Sequence, residues 1–273
     1  MYRKIENYLV GSDIEVFLID ELTGQVISAE GIISGTKEIP FPLGREGCAK
    51  QLDNISLEYN VPPTTDPAIM FENIQFVINT ISEAIPQGIG IKALASAELD
   101  PKYLQTEQAQ TMGCEASFNA WQRIQNPRPS LEENPNLRVC GGHIHIGYDN
   151  PDQNTSEAII RAMDMFLGVP SVIFDKDKKR KQLYGKAGEF RFTSYGCEYR
   201  VLSNFWTVSQ EMVDMIYQQI AKAISFVEEN GCIDSESDLG KEIQSIINTG
   251  DESRAKAFIA QQGILEKELV YAH

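Results

Sequence analysis

A short run near the middle of the chain reads Cys-Gly-Gly-His-Ile-His-Ile-Gly-Tyr, residues 140–148. It holds two of the chain's three histidines, His143 and His145, with one residue between them. Ile144 and Ile146 alternate with the histidines, which is the period of a β-strand with one apolar face. Strand propensity gives no reason for histidine at these positions, so the polar face of this strand is a candidate for chemistry.

Three other segments, residues 12–18, 54–61 and 197–202, show the same alternation of polar and apolar residues. Each one alone is best explained as an ordinary strand with one solvated face. If the four strands share one sheet, however, their polar side chains meet on one surface. The residues that would meet there are Asp13, Glu15, Glu58, His143, His145, Glu198 and Arg200.

Such a surface needs a cation, because carboxylates that lie close together repel one another. Carboxylates combined with imidazole suit Mg²⁺ or Mn²⁺, and protein-bound Mg²⁺ usually serves the phosphates of a ligand. Lys37, in a Gly- and Pro-rich loop, and the basic run 176–181 are candidates to face a phosphate. Both are equally typical of solvated loops. The pooled pattern predicts a divalent-cation and phosphate site.

Composition narrows the class of protein. The 273 residues, 42% of them hydrophobic, suffice for a full core in one large domain. A formal net charge of −15 argues against nucleic acid or anionic membranes as partners. No apolar run has membrane-spanning length, and the first residues do not resemble a signal peptide. The five cysteines are scattered without C-x-x-C spacing, so we expect free thiols in a reducing cytoplasm.

The remaining pattern predicts helices behind the strands. Asp66 and Pro67 are typical of a helix start, and Asn154 or Thr155 should cap a helix that ends near 168–170. Thr207 should begin a long helix that reaches about residue 230. We expect strand 54–61 to stop at two prolines, and segments 91–99 and 138–148 to form one strand each. Residues 101–133 should form short helices and loops. An acidic helical tail should follow from about residue 231.

Other motif classes fit less well. A His-x-His strand is common in cupin-type metal sites, but these need a further histidine from a later strand, and the remaining one is His273. A zinc hydrolase with two histidines and a carboxylate stays open. Gly185-Lys186 lacks the upstream glycine and the following Ser or Thr of a P-loop, and no G-x-S-x-G is present.

Five segments taken together resemble the phage-type carboxylate–amine ligases, also called amidoligases, of the glutamine synthetase and glutamate–cysteine ligase superfamily. They are Gly-Ser-Asp-Ile-Glu (11–15), Asp-Asn-Ile-Ser-Leu-Glu-Tyr-Asn-Val-Pro-Pro (53–63), Gly-Gly-His-Ile-His-Ile-Gly-Tyr (141–148), Leu-Tyr-Gly-Lys-Ala-Gly (183–188) and Tyr-Gly-Cys-Glu-Tyr-Arg-Val-Leu-Ser-Asn-Phe-Trp (195–206). The resemblance spans roughly residues 8 to 210, without the acidic tail. It implies an α+β fold, with a curved, glutamine synthetase-like antiparallel sheet and helices on its convex face. The concave face would bind ATP and two or three Mg²⁺ ions, with Mn²⁺ as a substitute.

The resemblance also implies roles for individual residues. The metal ligands would be Asp13, Glu15, Glu58, His143 and Glu198, and Asp53 would assist. His145 would meet an ATP phosphate, and Arg200 would steady the transferred phosphoryl group. Arg180, Lys186 and Arg191 resemble the superfamily's phosphate-binding cations, and Lys37 joins this nucleotide-binding set. The residues expected to act in catalysis itself are Arg200, Glu58 and Arg191.

The implied reaction is ATP-dependent amide formation. A carboxylate attacks the γ-phosphorus of ATP, which gives an acyl phosphate and ADP, and an amine then displaces phosphate to form the amide. We expect small-molecule or peptide substrates, a single domain over residues 1–273, and a bacterial or phage-infected host cytoplasm; homo-oligomerisation is left open. The alternatives are a phosphotransferase of the guanidino-kinase type, a metal-dependent hydrolase, and a binding protein that has lost activity.

Overall fold

A computed structural model describes residues 4–110 and 117–266 of the chain. Cys114 and His273 lie outside these ranges, so the expectations for them stay predictions. The strands within these ranges are β1 (Leu9–Asp20), β2 (Val26–Ile27), β3 (Phe41–Pro42), β4 (Ala49–Asp53), β5 (Ser56–Thr64), β6 (Ile89–Lys92), β7 (Ser96–Glu98), β8 (Phe118–Asn119), β9 (Ile124–Gln125), β10 (Leu137–Val139), β11 (Gly142–Gly147), β12 (Glu189–Thr193) and β13 (Gly196–Tyr199).

The described helices are α1 (Pro67–Ala84), α2 (Glu107–Gln110), α3 (Gln153–Met163), α4 (Val169–Phe174), α5 (Gln210–Asn230), α6 (Asp238–Thr249) and α7 (Glu252–Gln262). All of them except α2 pack with one face of the sheet in a single hydrophobic cluster, whereas Ala109 of α2 packs with Phe17 of β1 in a second cluster. The predicted start of α1 is confirmed, because the Asp66 side chain accepts a hydrogen bond from a backbone N–H of the first turn and Pro67 follows it. None of these helices combines the length and the apolar character that a membrane crossing requires.

Strand β1 is the centre of one large antiparallel sheet. Among the described strands the order is β3-β4-β5-β1-β11-β13-β12-β8-β9, and β2 and β6 pair with the second half of β1. Strands β7 and β10 pair with each other in a separate small sheet. The predicted mixed architecture of antiparallel sheet and helices is therefore confirmed.

The alternation seen in the sequence separates the two faces of this sheet. Ile14 of β1, Ile144 and Ile146 of β11, and Tyr199 of β13 are fully buried in one hydrophobic cluster. Apolar residues of α1, α3, α5, α6 and α7 belong to the same cluster. Burying each such side chain stabilises the fold by about 1.5–3 kcal/mol. This core fixes the register of the strands, since a one-residue slip would turn every apolar side chain to the opposite face.

Strand β5 continues through Pro62 and Pro63, where the sequence predicted its end. Strand β4 pairs with β5 only as far as Asn60, so the prolines lie beyond that partner. On the other side, the pairing with β1 shifts register between Val10 and Ser12. The missing proline N–H groups therefore fall where the regular ladder is already interrupted, which is where strands tolerate proline.

Two further strand predictions were wrong at their boundaries. Asn54 is not part of β5 but forms a two-residue turn with Ile55 after β4, and its φ is 54°. Segments 91–99 and 138–148 each contribute two short strands instead of one, because β6 pairs with β1 while β7 pairs with β10. Those boundaries depend on partner strands that are distant in sequence, so local alternation does not reveal them.

Two helix starts also differ from the predictions. Asp152, not Asn154 or Thr155, caps α3, and its side chain accepts a hydrogen bond from the Thr155 backbone N–H. The cap of α5 is Ser209, whereas the predicted Thr207 lies in a short 3₁₀ turn, Asn204–Val208. In both cases a neighbouring residue with an equally suitable side chain holds the extended backbone that a cap needs.

The helix that was expected to break near Pro170 continues instead. A π-helical turn, Asp164–Gly168, connects α3 directly to α4. The carboxylate of Asp164 accepts hydrogen bonds from Trp121 Nε1 at 2.6 Å and from the Tyr199 hydroxyl at 2.8 Å. Complete burial raises the pKa of Asp164 to about 7, against the lowering effect of these donors. The turn thus anchors β13, through Tyr199, to the helical layer.

Stability should depend on the protonation of Asp164. Its pKa in the folded protein is about 7, whereas an unfolded aspartate titrates near pH 4, roughly. The folded state therefore binds this proton more tightly, and the stabilisation it gives is complete below the unfolded pKa and lost as the pH rises through about 7. Relative to Asp164→Asn, the free energy of unfolding should fall by on the order of a few kcal/mol over this range. Urea unfolding of both proteins measures it, and a difference that does not change with pH would contradict the assignment.

Candidate functional site

Strands β5, β1, β11 and β13 place their polar side chains side by side. Directly opposed residues of an antiparallel pair project from the same face of a sheet. The register sets Glu58 opposite Glu15, Asp13 opposite His143, and His145 opposite Glu198. These side chains occupy the face opposite the helical core, so the structure brings together the residues that the alternation pooled.

Asp13 lies at the centre of this group. Its Oδ1 is 3.0 Å from His143 Nδ1 and 3.1 Å from His145 Nε2. His143 Nδ1 is also 3.6 Å from Glu198 Oε1. Asp13, His145 and Glu198 each offer one ligand atom, and these three atoms lie within 4.8 Å of one another. Two carboxylates and an imidazole at this spacing form a suitable donor set for a divalent cation.

The electrostatics keep the acids of this cluster ionised. Burial raises the pKa of the Asp13 carboxyl, but the charges of His145 and His143 outweigh burial and hold the pKa well below its ordinary value. Burial also raises the pKa of Glu198, and the charge of Arg200 more than offsets this, so the net shift is downward. For His145 burial lowers the pKa, and the charge of Asp13 raises it further than burial lowers it. Both imidazoles thus favour the ionised form of Asp13.

Two guanidinium groups flank Glu198. Arg200 Nη1 donates a hydrogen bond to Glu198 Oε1, and Arg191 Nη1 lies 3.4 Å from Glu198 Oε2. Arg200 is only 5% exposed, so its charge is compensated within the site and not by solvent. The result is an acid between two arginines, next to the Asp13 cluster, which can bind a cation and an anion at adjacent positions.

A second group of acids lies at the β5 end of the site. Glu58 is 4% exposed, and its Oε2 accepts a hydrogen bond from Gln51 Nε2 at 2.9 Å. Lys37 Nζ lies 3.2 Å from Asp53 Oδ1 and 3.9 Å from Glu58 Oε2. Burial, followed by the charges of Asp13 and Asp53, raises the pKa of Glu58 well above its ordinary value. The neighbouring acids thus oppose ionisation of Glu58.

Glu15 lies between the two groups of acids, two residues after Asp13 on β1 and opposite Glu58 of β5. Its Oε2 accepts a hydrogen bond from the Gly141 backbone N–H at 2.6 Å. An added Cβ at Gly141 would lie 2.3 Å from His143 Nε2, so glycine is required for the chain to pass this close to the imidazole. Gly141 precedes the histidine strand and thereby links the carboxylate of β1 to the start of β11.

The other predicted phosphate-binding cations are placed differently. Arg180 is buried, and its guanidinium donates hydrogen bonds to the backbone carbonyls of Cys140, Arg200 and Val201. It ties the loop before β12 to the ends of two site strands. Lys186 is exposed on the following loop. Phosphate contacts by Arg180 and Lys186 stay predictions.

The sequence did not point to Tyr195. Its hydroxyl lies 2.5 Å from His145 Nδ1, and the two rings stack with centroids 5.9 Å apart. Tyr195 belongs to the turn between β12 and β13 and not to an alternating strand, so the pattern that identified the other residues could not identify it. A partner on Nδ1 orients the ring and directs Nε2 toward Asp13.

Two hollows adjoin the cluster. One, of about 50 Å³, has walls of mixed polarity that include Glu15, Asp53, His143 and Arg200. The other, of about 330 Å³, has mostly apolar walls with His145 and Asp13 at one side. Its remaining walls are formed by Leu9, Gly11, Ser12, Asn60, Val61, Pro63, Gly147 and Tyr195. The two spaces, which differ in polarity, therefore lie toward opposite ends of β1 and β11.

Fold and site together define a mixed α/β protein with an acid, imidazole and guanidinium centre on an antiparallel sheet. Residues 136–262 match the family described as "Phage phiEco32-like COOH.NH2 ligase-type 2". The resemblance to the phage-type carboxylate–amine ligases is thereby confirmed over a little under half of the chain. The matched segment includes β11, β13 and the helices α6 and α7, but not β1 or β5. Its extent thus differs from the expected residues 8–210, because it takes in the acidic tail.

The chain is also similar to the crystal structure of a bifunctional glutathione synthetase from Pasteurella multocida. The TM-score is 0.44 and the sequence identity 11%, over 96% of this chain. The chain spans 46% of that protein's length. A likeness at this level defines neither fold nor function. No curated protein matches the sequence.

Removal of the Glu198 charge should destabilise the protein. Glu198→Gln leaves the buried Arg200 without its carboxylate, and breaking a buried pair in this way costs about 3–5 kcal/mol. We expect urea unfolding to show a loss of that size. The control Glu6→Gln, at an acid paired with Lys4 on the exposed surface, should change stability by less than about 1 kcal/mol. Equal stability of Glu198→Gln and the unchanged protein would contradict the role given to this pair.

Proposed function

We propose that this protein is an ATP-dependent carboxylate–amine ligase that forms an amide through an acyl phosphate. The observation that carries the proposal is the cluster of Asp13, His145 and Glu198 with Arg200 beside it, between two hollows of different polarity. The family match, whose name describes carboxyl–amine ligation, supports the same reaction. We further propose a glutamine synthetase-like sheet in a single domain over residues 1–273, with an acidic, helical C-terminal tail from about 231.

The residues present suit a Mg²⁺ or Mn²⁺ ion. His145 Nε2 is buried and makes no hydrogen bond within the described part of the chain, although Asp13 Oδ1 is near. Asp13, His145 and Glu198 would hold the cation, while His143 Nδ1 would keep its contact with Asp13. This reverses the assignment of His143 as ligand and His145 as phosphate contact. When bound, the ion would neutralise charge on the nucleotide's phosphate oxygens.

The arginines supply the remaining positive charge. Arg200 and Arg191 face Glu198 and would contact the phosphoryl group as it passes to the substrate carboxylate. Fixed cations at this position stabilise the spread negative charge of phosphoryl transfer without reorganising during the reaction. The amine then attacks the acyl carbon, and phosphate leaves as the amide bond forms. Little covalent chemistry is required of the protein itself.

The two hollows suggest where the reactants bind. The wider one has apolar walls that include Val61, Pro63 and Tyr195, which suit the flat ring of a nucleobase. The narrower one has charged groups in its walls, among them Arg200, which suit the carboxylate group of the acid substrate. Both open onto the histidine strand, so a nucleotide in one would present its phosphates to a carboxylate in the other.

The cysteines support a reducing compartment. Cys48, Cys140 and Cys197 are buried and Cys232 is half-buried, and all four are free thiols. Burial raises the pKa of Cys140 and Cys197, so they remain protonated and unreactive. We propose that the protein acts in the cytoplasm of a bacterium or a phage-infected host.

The test is whether ADP release requires two substrates. With ATP and Mg²⁺, panels of carboxylates and amines are supplied separately and together. A ligase releases ADP at a high rate only when both are present, and the product contains a new amide that mass spectrometry detects. ADP release with a guanidine or other single acceptor would indicate a phosphotransferase. Hydrolysis of a substrate without ATP would indicate a metal-dependent hydrolase, and either result would overturn the proposal.

Glu15→Gln should abolish the reaction without unfolding the protein. The substitution removes the carboxylate that joins the two groups of acids, and loss of one such preorganised group costs about 10²–10³ in rate. ADP release should fall by that factor while the thermal midpoint stays close to that of the unchanged protein. Glu21→Gln is the matched control, because Glu21 is an exposed acid that directly follows the end of β1. Normal turnover of Glu15→Gln would remove Glu15 from the site.

A further inference from the structure

The two ends of the site treat their carboxylates differently. At one end Asp13, His145 and Glu198 bring three ligand atoms within 4.8 Å of one another. At the other end Asp53, Glu15 and Glu58 do not reach that spacing, as far as the described residues show. A divalent cation needs several oxygen or nitrogen donors at about 2–2.6 Å, so only the first end is ready to receive one.

At the second end, one oxygen of each carboxylate already has a fixed partner. Gln51 Nε2 donates to Glu58 Oε2 at 2.9 Å, and the Gly141 backbone N–H donates to Glu15 Oε2 at 2.6 Å. Lys37 Nζ lies 3.2 Å from Asp53 Oδ1 and 3.9 Å from Glu58 Oε2. The Lys37 ammonium therefore stands where a cation bridging Asp53 and Glu58 would have to bind.

Burial makes this ammonium more than a surface charge. The Glu58 side chain is only 5% exposed, and those of Asp53 and Lys37 are 21% and 36% exposed. An exposed ion pair contributes little, but a carboxylate withdrawn from water needs a nearby positive charge or a proton. Lys37, the most exposed of the three, places a positive charge beside both acids.

The loop that carries Lys37 is held in place by its backbone. The Leu52 N–H of β4 donates to the Gly35 carbonyl at 3.1 Å. Gly35 has a φ of +98°, and an added Cβ would meet the Lys50 carbonyl oxygen at 2.5 Å. Only glycine fits so closely against β4 with this backbone conformation. Lys37 thus belongs to a loop that is anchored to β4, the strand next to Glu58.

We propose that Lys37 is the resident cation of the β5 end of the site, so that the chain by itself binds one divalent cation, at Asp13, His145 and Glu198. A second divalent cation binds only when the Lys37 ammonium is removed. This inference rests on the proposed function, because it concerns the same metal site. It assigns Lys37 to charge compensation of Asp53 and Glu58, instead of the phosphate contact predicted from the sequence.

The experiment counts Mn²⁺ ions bound to the full chain without nucleotide, by calorimetric titration and by electron paramagnetic resonance of the free ion. The unchanged protein should bind one Mn²⁺ per chain. Lys37→Met and Lys37→Gln should each bind two, and Lys37→Arg, which keeps the charge, should bind one. Without Mn²⁺ both neutral variants should melt below the unchanged protein, and Mn²⁺ should raise their melting temperatures by more.

Lys102→Met is the control, since it removes the same charge from an exposed pair with Asp100 and should bind one ion. If the unchanged protein and both neutral variants bind the same number of Mn²⁺ ions, and that number is not zero, this inference is overturned and the proposed ligase activity is unaffected. If Lys102→Met also binds two Mn²⁺ ions, the second ion results from the change in net charge alone, and the inference is overturned as well. Absence of Mn²⁺ binding in every protein would overturn both the inference and the proposed metal site.

Discussion

The contact of Asp13 with two imidazoles is the interaction on which the site depends. A carboxylate in the middle of a sheet has few water molecules to stabilise its charge, and unpaired burial would favour the neutral acid. His143 and His145, at 3.0 and 3.1 Å, reverse that preference. The same principle recurs one strand further, where Arg200 and Arg191 compensate Glu198. Asp13 and Glu198 thus each lie beside nitrogen groups that favour the ionised acid.

The fold tolerates these charged side chains because the apolar residues on the opposite face of the same strands stabilise it. Ile14, Ile144, Ile146 and Tyr199 are completely buried against the helices. Their packing fixes the strand register, and the register places Asp13 opposite His143 and His145 opposite Glu198. A sheet with one apolar and one ionisable face therefore uses a single set of backbone hydrogen bonds both to build a core and to position a reactive centre.

Much of the central sheet could be predicted from the sequence, because side-chain alternation is a local property. The faces of Asp13, His143 and Glu198 followed from their neighbours alone. Features that depend on distant contacts could not be predicted. The continuation of β5 through Pro62 depends on where β4 ends, and the donation of Arg180 to three carbonyls depends on loops that meet only in the folded chain.

Prediction from the sequence had similar limits within the candidate site. Alternation selected the strand residues but not Tyr195, which lies in a turn, and gave no reason to place Lys37 on Glu58 rather than on a phosphate. Chain order also gave no measure of the spacing between acids. That spacing distinguishes the end of the site with three convergent ligand atoms from the end where a lysine meets the carboxylates. The three-dimensional distances therefore refined a residue set that the sequence had grouped.

The most direct test of the central claim is anomalous X-ray scattering from crystals of the protein soaked with Mn²⁺. The account predicts one strong Mn²⁺ peak on the sheet face, about 2.0–2.4 Å from oxygens of Asp13 and Glu198 and from His145 Nε2. A Mn²⁺ ion bound elsewhere, with these three side chains unliganded, would contradict it.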